Sequence, residues 1–167
     1  LPPASAFNAA GLDVFAPGNH DFDFGYEALS SLLSSLDAAA VAANVEDERG
    51  ELGIERHAVI ERGGIRLFIT GAVTDYVNIW NPGLKGVRIT DSVEALRQEA
   101  EAMKAIPHDF SICIYHGGFG NERGSIRENR ADEIIPLGFD YLLTGHQHQV
   151  IEPRAEGRTT VLQTGWR

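Results

Sequence analysis

Three short segments combine glycine with side chains that can ligate a metal ion or move a proton. Two imidazoles that are two residues apart face the same way if their segment is extended, and imidazole suits divalent first-row metals. Flanking glycines allow the close backbone approach that a compact metal centre needs. A plain surface loop is the alternative interpretation for an isolated His-x-His pair. The segments are Gly18-Asn19-His20-Asp21-Phe22-Asp23, His116-Gly117-Gly118 and Gly145-His146-Gln147-His148.

The first of these segments also carries groups for acid–base chemistry. Asn19 can offer its amide oxygen to a metal, and His20 can act as an acid or as a positive group facing a developing charge. A carboxylate three residues on, Asp23, can orient the His20 ring. Because Asn and Asp also favour helix N-caps, a capping cluster is the competing interpretation. Capping alone does not require the histidine, so the hexapeptide favours a chemical role.

Compact apolar runs precede all three segments and must position them. Continuous rather than alternating apolar character predicts strands that are buried on both faces of a helix-covered sheet. In open α/β sheets, ligands bind beyond the carboxyl ends of the strands. We therefore expect the three segments to converge on one sheet edge. The predicted strands are at 14–16, 41–43, 67–73, 112–115 and 141–143.

Helical patterns alternate with these runs and predict an α/β domain. An apolar stripe predicts a helix over Tyr26–Leu36, and Asp91 is a candidate N-cap for a second helix that ends before Pro107. A third helix is predicted over Ile126–Ile135, ended by Pro136. The stretch 150–165 instead predicts a hairpin with its turn at 155–158.

Composition narrows the function classes. The 167 residues are enough for one domain, and 14 Lys and Arg against 24 Asp and Glu give a net charge of −10. This charge argues against a non-specific binder of nucleic-acid polymers. No apolar run has the length of a membrane span. The single cysteine, Cys113, excludes an internal disulfide framework and a Cys-rich zinc site.

Several other polar or aromatic residues are interpreted as structural. His57 and His108 lie outside the three segments and are expected to be ordinary surface or interface residues. The charged stretch 127–130 is expected to be solvated surface, as is 46–49. Trp80 and Trp166 can each line a pocket, but packing is the preferred interpretation.

Together the three segments resemble the calcineurin-like metallophosphoesterases. Residues 18–21 resemble that family's Gly-Asn-His-(Asp/Glu) block and residues 145–148 its Gly-His-x-His block, while His116 stands where the family has an isolated metal-binding histidine. Further segments are similar to the 5′-nucleotidase branch and, within it, to enzymes that also act on 2′,3′-cyclic nucleotides. The branch-like segments are 8–13, 22–25 and 43–45, and those similar to the cyclic-nucleotide enzymes are 79–82, 116–119 and 144–148.

The resemblance implies a site with two divalent ions, drawn from Mn, Zn, Fe and Co. It implies that Asn19, His116 and His146 bind one ion and that His148 binds the other. It also implies that Asn19 and His20 contact the substrate phosphate or leaving group, with Asp23 orienting His20. The implied reaction is two-metal hydrolysis, in which ions about 3.5–4 Å apart activate water and stabilise the developing charge.

The implied fold is a four-layer α-β-β-α sandwich. The family also carries an Asp-x-His and a Gly-Asp pair before its Gly-Asn-His block, and neither occurs in these 167 residues. We therefore expect residues 1–167 to be a partial catalytic domain. The expected missing parts are the first strand and helix, the first metal-binding motifs and the C-terminal nucleotide-binding domain.

The resulting hypothesis is metal-dependent hydrolysis of small nucleotide phosphoesters, as a 2′,3′-cyclic phosphodiesterase and a 5′- or 3′-nucleotidase. One alternative is a metal-binding or interaction module of the same fold without catalysis. Another is a phosphoesterase for nucleotide sugars. An Asp-x-His and a Gly-Asp pair upstream would favour the enzyme over the module. The resemblance also favours a location outside the cytoplasm.

Overall fold

The computed structural model of the chain describes residues 2–120 and 127–165. Helices and strands alternate through most of this part, as the sequence pattern predicts. The helices are Pro2–Ala10 (α1), Gly25–Ser34 (α2), Val77–Trp80 (α3), Ser92–Met103 (α4) and Ala131–Ile134 (α5). The strands are Val14–Phe15 (β1), Ala39–Val41 (β2), Val45–Asp47 (β3), Ile54–Glu55 (β4), His57–Arg62 (β5), Ile65–Val73 (β6), Val87–Ile89 (β7), Phe110–His116 (β8), Tyr141–Thr144 (β9), Ile151–Glu156 (β10) and Thr159–Gln163 (β11).

The larger sheet has six strands in the order β10-β11-β9-β8-β6-β5. Its four inner strands run parallel, and an antiparallel strand closes each edge. The apolar runs predicted as buried strands form β6, β8 and β9. The predicted hairpin is confirmed, because β10 and β11 pair antiparallel around a turn at Gly157 and Arg158.

A second sheet packs against the first. It contains β1, β2 and β4 in parallel, and a separate antiparallel pair joins β3 to β7. One apolar cluster packs α4 and α5 against the large sheet, with Leu96 and Ile134 among its fully buried members. The other packs α2 against the second sheet through Leu29 and Leu33. Helices therefore lie outside two stacked sheets, which confirms the predicted α-β-β-α class.

Gly71, on β6, sets the distance between the two sheets. A Cβ atom there would lie 2.9 Å from the backbone oxygen of Val41 on β2 and 3.1 Å from Cβ of Ala16, just after β1. Val41 lies in the second sheet and Ala16 directly follows a strand of that sheet, and neither contact is the flexible end of a long side chain. Glycine is therefore required where the sheets are in closest contact.

Two of the three predicted helices form as expected. Helix α2 buries part of the predicted leucine stripe, and Asp91 caps α4 by accepting a hydrogen bond from the backbone N–H of Glu94 at 2.8 Å. The prediction for the third helix is wrong. Within the described residues it is limited to α5, and Pro136 lies inside a following 3-10 turn, Ile135–Leu137, instead of ending a longer helix.

The cause of this shortening is a tertiary contact that competes with the helical hydrogen bonds. The Asn129 side chain accepts a hydrogen bond from the Gly118 N–H at 2.8 Å, and the Ala131 N–H donates to the Gly118 carbonyl at 2.9 Å. The backbone before α5 is therefore held against the loop that follows β8. Ile126, where the helix was predicted to begin, lies outside the described residues.

Among residues 2–120 and 127–165, no helix is both long enough and apolar enough to cross a membrane.

Replacing Gly71 with alanine should destabilise the fold by about 1–3 kcal/mol, because the added methyl group must push two sheets apart. Chemical denaturation measures the change in the free energy of unfolding. Gly83→Ala is the matched control, since a Cβ at Gly83 meets no atom within 4 Å. Equal stability of the two variants would show that the sheets are not in contact at Gly71.

Candidate metal and phosphoester site

The three polar segments meet at the side-chain oxygen of Asn19. This Oδ1 atom lies 2.8 Å from Nε2 of His116 and 3.1 Å from Nδ1 of His146, although the residues are 97 and 127 positions apart in the chain. Asn19 is buried, and the two imidazole rings lie edge to face with their centroids 5.4 Å apart. The structure thus brings together the three side chains that the family resemblance assigns to one ion.

A tight turn after β1 places Asn19 in this position. Residues Asn19–Phe22 form a 3-10 turn, and the Gly18 N–H donates to the Asp21 carboxylate at 2.7 Å. The capping interpretation is therefore correct for Asp21, whose burial raises its pKa. It is not correct for Asn19, whose side-chain oxygen faces imidazoles. Glycine is required at position 18, because a Cβ there would lie only 2.8 Å from Cε1 of His116.

The loops that follow β8 and β9 are joined by the side chain of Gln147. Its Oε1 accepts from the Phe119 N–H at 3.0 Å, and its Nε2 donates to the Phe119 carbonyl at 2.8 Å. A Cβ at Gly118 would overlap this side chain, at 1.9 Å from Oε1. The Gly145 N–H adds a backbone hydrogen bond to Gly117 at 3.1 Å. His116 and His146 therefore sit on loops that are fixed to each other.

The expectation that His146 and His148 lie in an extended segment is wrong. Both have left-handed backbone conformations, with φ of 70° and 54°, and the Gln147 N–H bonds back to the Gly145 carbonyl. The chain turns sharply here because it leaves β9 and must hold His146 against Asn19. His148 lines a neighbouring cavity together with Ile151 and other residues of the β10–β11 hairpin. Its assignment to a second ion stays a prediction.

Burial controls the charge of His116. Burial is the largest cause, and together with the nearby imidazoles of His146, His20 and His148 it lowers the pKa of His116 to about 4. His116 is therefore neutral near pH 7. A neutral imidazole keeps a nitrogen lone pair, which is the form that binds a metal ion.

Glu128 contacts the site, and sequence reasoning missed it. Its Oε1 lies 2.5 Å from Nε2 of His146, on the opposite side of the ring from Asn19. The prediction that 127–130 is solvated surface is wrong for at least three of its residues. Asn129 is buried, and Arg130 forms ion pairs with Asp75, Asp91 and Glu133. No regular spacing links Glu128 to the histidines, so the sequence held no signal for this contact.

His20 and Asp23 form a hydrogen-bonded pair beside the buried cluster. The Nδ1 atom of His20 lies 2.7 Å from Oδ2 of Asp23, and 80% of the His20 side chain is exposed. The hydrogen bond from His20 is the main reason why the pKa of Asp23 is lowered. Asn81 donates a longer hydrogen bond, 3.4 Å, to the other Asp23 oxygen. Nε2, the other ring nitrogen of His20, therefore points away from Asp23 on an exposed side chain.

Trp80 lies at the site and not in the core. Its side chain is well exposed, and its ring centroid is 5.5 Å from that of His146. Trp80 also packs against Tyr76, the residue directly before α3. The packing interpretation is therefore wrong for Trp80, while Trp166 lies outside the described residues. His57 and His108 lie away from this cluster, with both rings against Phe68.

The donors around Asn19 suit a divalent cation. A carboxylate can only accept, so the proton shared with Glu128 belongs to Nε2 of His146, and Nδ1 presents a lone pair to Asn19 Oδ1 at 3.1 Å. Two facing lone pairs repel unless a cation lies between them. A divalent ion held by Asn19, His116 and His146 would remove this repulsion by accepting both lone pairs.

Asparagine is essential to this donor set. Within residues 2–120 and 127–165, no three His, Cys, Asp or Glu side chains are grouped closely enough to hold an ion. The amide oxygen of Asn19 is therefore the candidate for a third donor beside His116 and His146. Nitrogen and oxygen donors of this kind are compatible with Mn, Zn, Fe and Co.

Known proteins share this arrangement of elements. No protein-family model matches the chain. A protein of Treponema pallidum named "Probable 5′-nucleotidase" is 30% identical over 160 residues, which cover 93% of this chain. The structure of the calcineurin-like phosphoesterase YfkN from Bacillus subtilis superposes with a TM-score of 0.82 and 25% identity over 98% of this chain. The chain belongs to the calcineurin-like phosphoesterases.

A further relative agrees with the 5′-nucleotidase branch. The 2′,3′-cyclic-nucleotide 2′-phosphodiesterase/3′-nucleotidase of Salmonella typhimurium is 26% identical over 163 residues, or 89% of this chain. The chain spans about a quarter of the two curated relatives, 26% of the Treponema protein and 25% of the Salmonella protein. It spans 57% of the crystallised YfkN chain. The predicted family membership is thus confirmed.

Replacing Gly18 with alanine should displace the His116 ring, because the new methyl group would lie inside its contact distance. We expect the Asn19–His116 separation to exceed about 3.5 Å, beyond hydrogen-bonding range. NMR signals of the His116 ring report the movement directly. Gly83→Ala should leave those signals in place. Unchanged ring signals in Gly18→Ala would contradict the close approach of these two loops.

Proposed function

We propose that residues 1–167 form part of the catalytic domain of a metal-dependent hydrolase of nucleotide phosphoesters. The substrates would be 2′,3′-cyclic nucleotides and 5′- or 3′-nucleoside monophosphates. The observation that carries this proposal is the convergence of Asn19 Oδ1 on His116 and His146, at 2.8 and 3.1 Å. The printed names of the Treponema and Salmonella relatives support the choice of substrate class.

In this proposal Asn19, His116 and His146 hold one divalent ion, and His148 contributes to a second. When bound, such ions polarise phosphoryl oxygens and lower the pKa of bound water, so that hydrolysis proceeds at neutral pH. The chain contributes a neutral His116, since burial and the nearby imidazoles lower its pKa to about 4. It also contributes two loops that are hydrogen-bonded to each other and fix the spacing of the donors.

His20 and Asp23 supply proton transfer in this proposal. Asp23 accepts from Nδ1 of His20 and stays ionised, because this hydrogen bond lowers its pKa. This hydrogen bond orients the ring so that Nε2 points away from Asp23. A protonated Nε2 can contact a phosphate oxygen or donate to the departing oxygen as the ester bond breaks. Asn19 adds a further polar contact at the substrate.

The net charge of −10 is compatible with an anionic substrate, because bound cations supply a local positive field. The same charge disfavours a nucleic-acid polymer as the partner. We also propose a location outside the cytoplasm, on the basis of the family resemblance. Fractionation of cells that express the complete protein tests this assignment.

A metal-binding module without catalysis is the second candidate function. The observation that favours it is that these 167 residues contain neither the Asp-x-His nor the Gly-Asp pair that the family carries before its Gly-Asn-His block. Metal analysis of the complete protein, with hydrolysis assays on cyclic and linear nucleotides, separates the two. Bound metal without turnover of any phosphoester, nucleotide sugars included, would support the module.

His20→Ala in the complete protein should lower kcat by roughly two to four orders of magnitude, because a group that aids proton transfer is lost. Metal content should be unchanged, since the ring faces solvent and not the donors around Asn19. Steady-state kinetics together with elemental analysis measures both quantities. Turnover equal to that of the unmodified protein would remove His20 from the mechanism.

His116→Ala should instead reduce bound metal, because one of three donors to the same ion is removed. We expect the affinity to fall by more than the roughly 10- to 100-fold that is typical of losing a hydrogen-bond partner of a ligand. Titration of the metal-free protein with Zn²⁺ or Mn²⁺ measures this loss. His108→Ala is the matched control, since His108 contacts the Ile106 carbonyl and Phe68 and lies away from the donors. Full metal occupancy in His116→Ala would exclude it as a ligand.

A further inference from the structure

The Glu128 carboxylate contacts the cluster formed by Asn19, His116 and His146, the proposed metal donors. Its Oε1 atom lies 2.5 Å from Nε2 of His146, and the two side chains are 26% and 13% exposed. The contact is therefore largely shielded from water. Hydrogen bonds to a charged partner in such surroundings are among the stronger ones in proteins.

The backbone around Glu128 is held independently of this contact. Its carbonyl accepts from Oγ1 of Thr74 at 2.6 Å, and its neighbour Asn129 accepts from the Gly118 N–H. Thr74 follows β6, and Gly118 follows β8. The backbone that carries Glu128 is thus held at two strand ends. Substitution of the Glu128 side chain leaves both anchors in place.

The contact decides which nitrogen of His146 carries the proton. A neutral imidazole has one N–H and one lone pair, and an ionised carboxylate offers only acceptors. The proton between His146 and Glu128 therefore lies on Nε2. The lone pair is left on Nδ1, which faces Asn19 Oδ1 at 3.1 Å. Without Glu128, His146 can adopt the opposite tautomer, in which Nδ1 carries the proton and donates a hydrogen bond to Asn19 Oδ1. Nδ1 then has no lone pair to offer a metal ion.

We propose that Glu128 is a positioning residue that holds His146 in the Nε2–H tautomer and so aims its Nδ1 lone pair at the point shared with Asn19 and His116. The tautomer part of this inference stands on hydrogen-bond geometry alone. The consequence for metal affinity rests on the function proposed above. Carboxylates in this relation to a ligating histidine orient the ring and raise its basicity.

The first test is the tautomer of His146 in the metal-free complete protein. Long-range ¹H–¹⁵N correlation spectra distinguish a protonated from an unprotonated ring nitrogen. We expect the unmodified protein to show the proton on Nε2 and Glu128→Ala to lose this preference. Glu128→Gln should keep it, because the amide oxygen can still accept. An unchanged His146 tautomer in Glu128→Ala would overturn the inference.

The second test is the affinity of the metal-free protein for Zn²⁺, measured by titration calorimetry. Glu128→Ala should weaken binding by roughly 10- to 100-fold, and Glu128→Gln should recover most of the loss. If Glu128→Gln loses as much affinity as Glu128→Ala while keeping the tautomer, the effect is one of charge and the positioning role is wrong. Asp132→Ala is the matched control, because Asp132 is a nearby carboxylate that pairs with Arg127.

The two proposals can fail separately. If the unmodified protein binds neither Zn²⁺ nor Mn²⁺, the proposed function is contradicted, while the tautomer spectra still decide the role of Glu128. If metal binds and Glu128→Ala matches the unmodified protein in both affinity and tautomer, the proposed function stands and the role of Glu128 is excluded.

Discussion

The parallel pairing of β8 with β9 is the constraint on which the site depends. The register runs from Ile112 opposite Tyr141 to Tyr115 opposite Thr144, so both strands end at the same level of the sheet. The next residues along are His116 and Gly145, and the loops that follow are hydrogen-bonded to each other. A shift of the register would move His116 away from the Gly145–His148 loop. Sheet pairing, more than any local loop preference, therefore fixes the distance between the donors.

A second constraint acts between the two sheets. Asn19 reaches the histidines only because β1, in the second sheet, ends close to the carboxyl end of β8. Two glycines make this approach possible, since Gly71 lets the sheets pack closely and Gly18 makes room for the His116 ring. The donor cluster is thus shared between two layers of the fold. Its geometry depends on how well those layers pack, which ties the site to the apolar core.

Much of this arrangement could be predicted from the sequence, for identifiable reasons. Continuous apolar runs predicted β6, β8 and β9. The leucine stripe predicted α2, and the Asp91 cap predicted the start of α4. These predictions were correct because each signal lies within the element that it specifies. The meeting of His116 and His146 also followed, because polar residues after neighbouring parallel strands lie at one edge of a sheet. Asn19 was expected at that same sheet edge, but it follows β1 of the second sheet, and it reaches the histidines through the packing of the two sheets. The family resemblance added roles for these residues. It could not add their hydrogen-bond partners.

The incorrect predictions share a physical cause, which is that contacts between residues distant in sequence override local preferences. The helix predicted before Pro136 is shortened because the Asn129 side chain accepts a hydrogen bond from the Gly118 N–H. The stretch around Arg130 is not solvated surface because Arg130 forms ion pairs with Asp75 and Asp91. Trp80 was assigned to packing because an aromatic residue carries no signal of its exposure. The extended conformation expected around His146 gave way to a sharp turn. None of these contacts has a fixed spacing that a single sequence could reveal.

The left-handed conformations of His146 and His148 have a consequence for how this protein balances folding against chemistry. Non-glycine residues in this region carry a steric cost of roughly 1–2 kcal/mol each, and asparagine or glycine would tolerate it better. A chain optimised only for a robust native state would not keep imidazoles at these two positions. Under the proposed function, the turn after β9 gives up some thermodynamic stability in order to place the His146 and His148 imidazoles. Stabilising changes are therefore better sought elsewhere in the chain than in this turn.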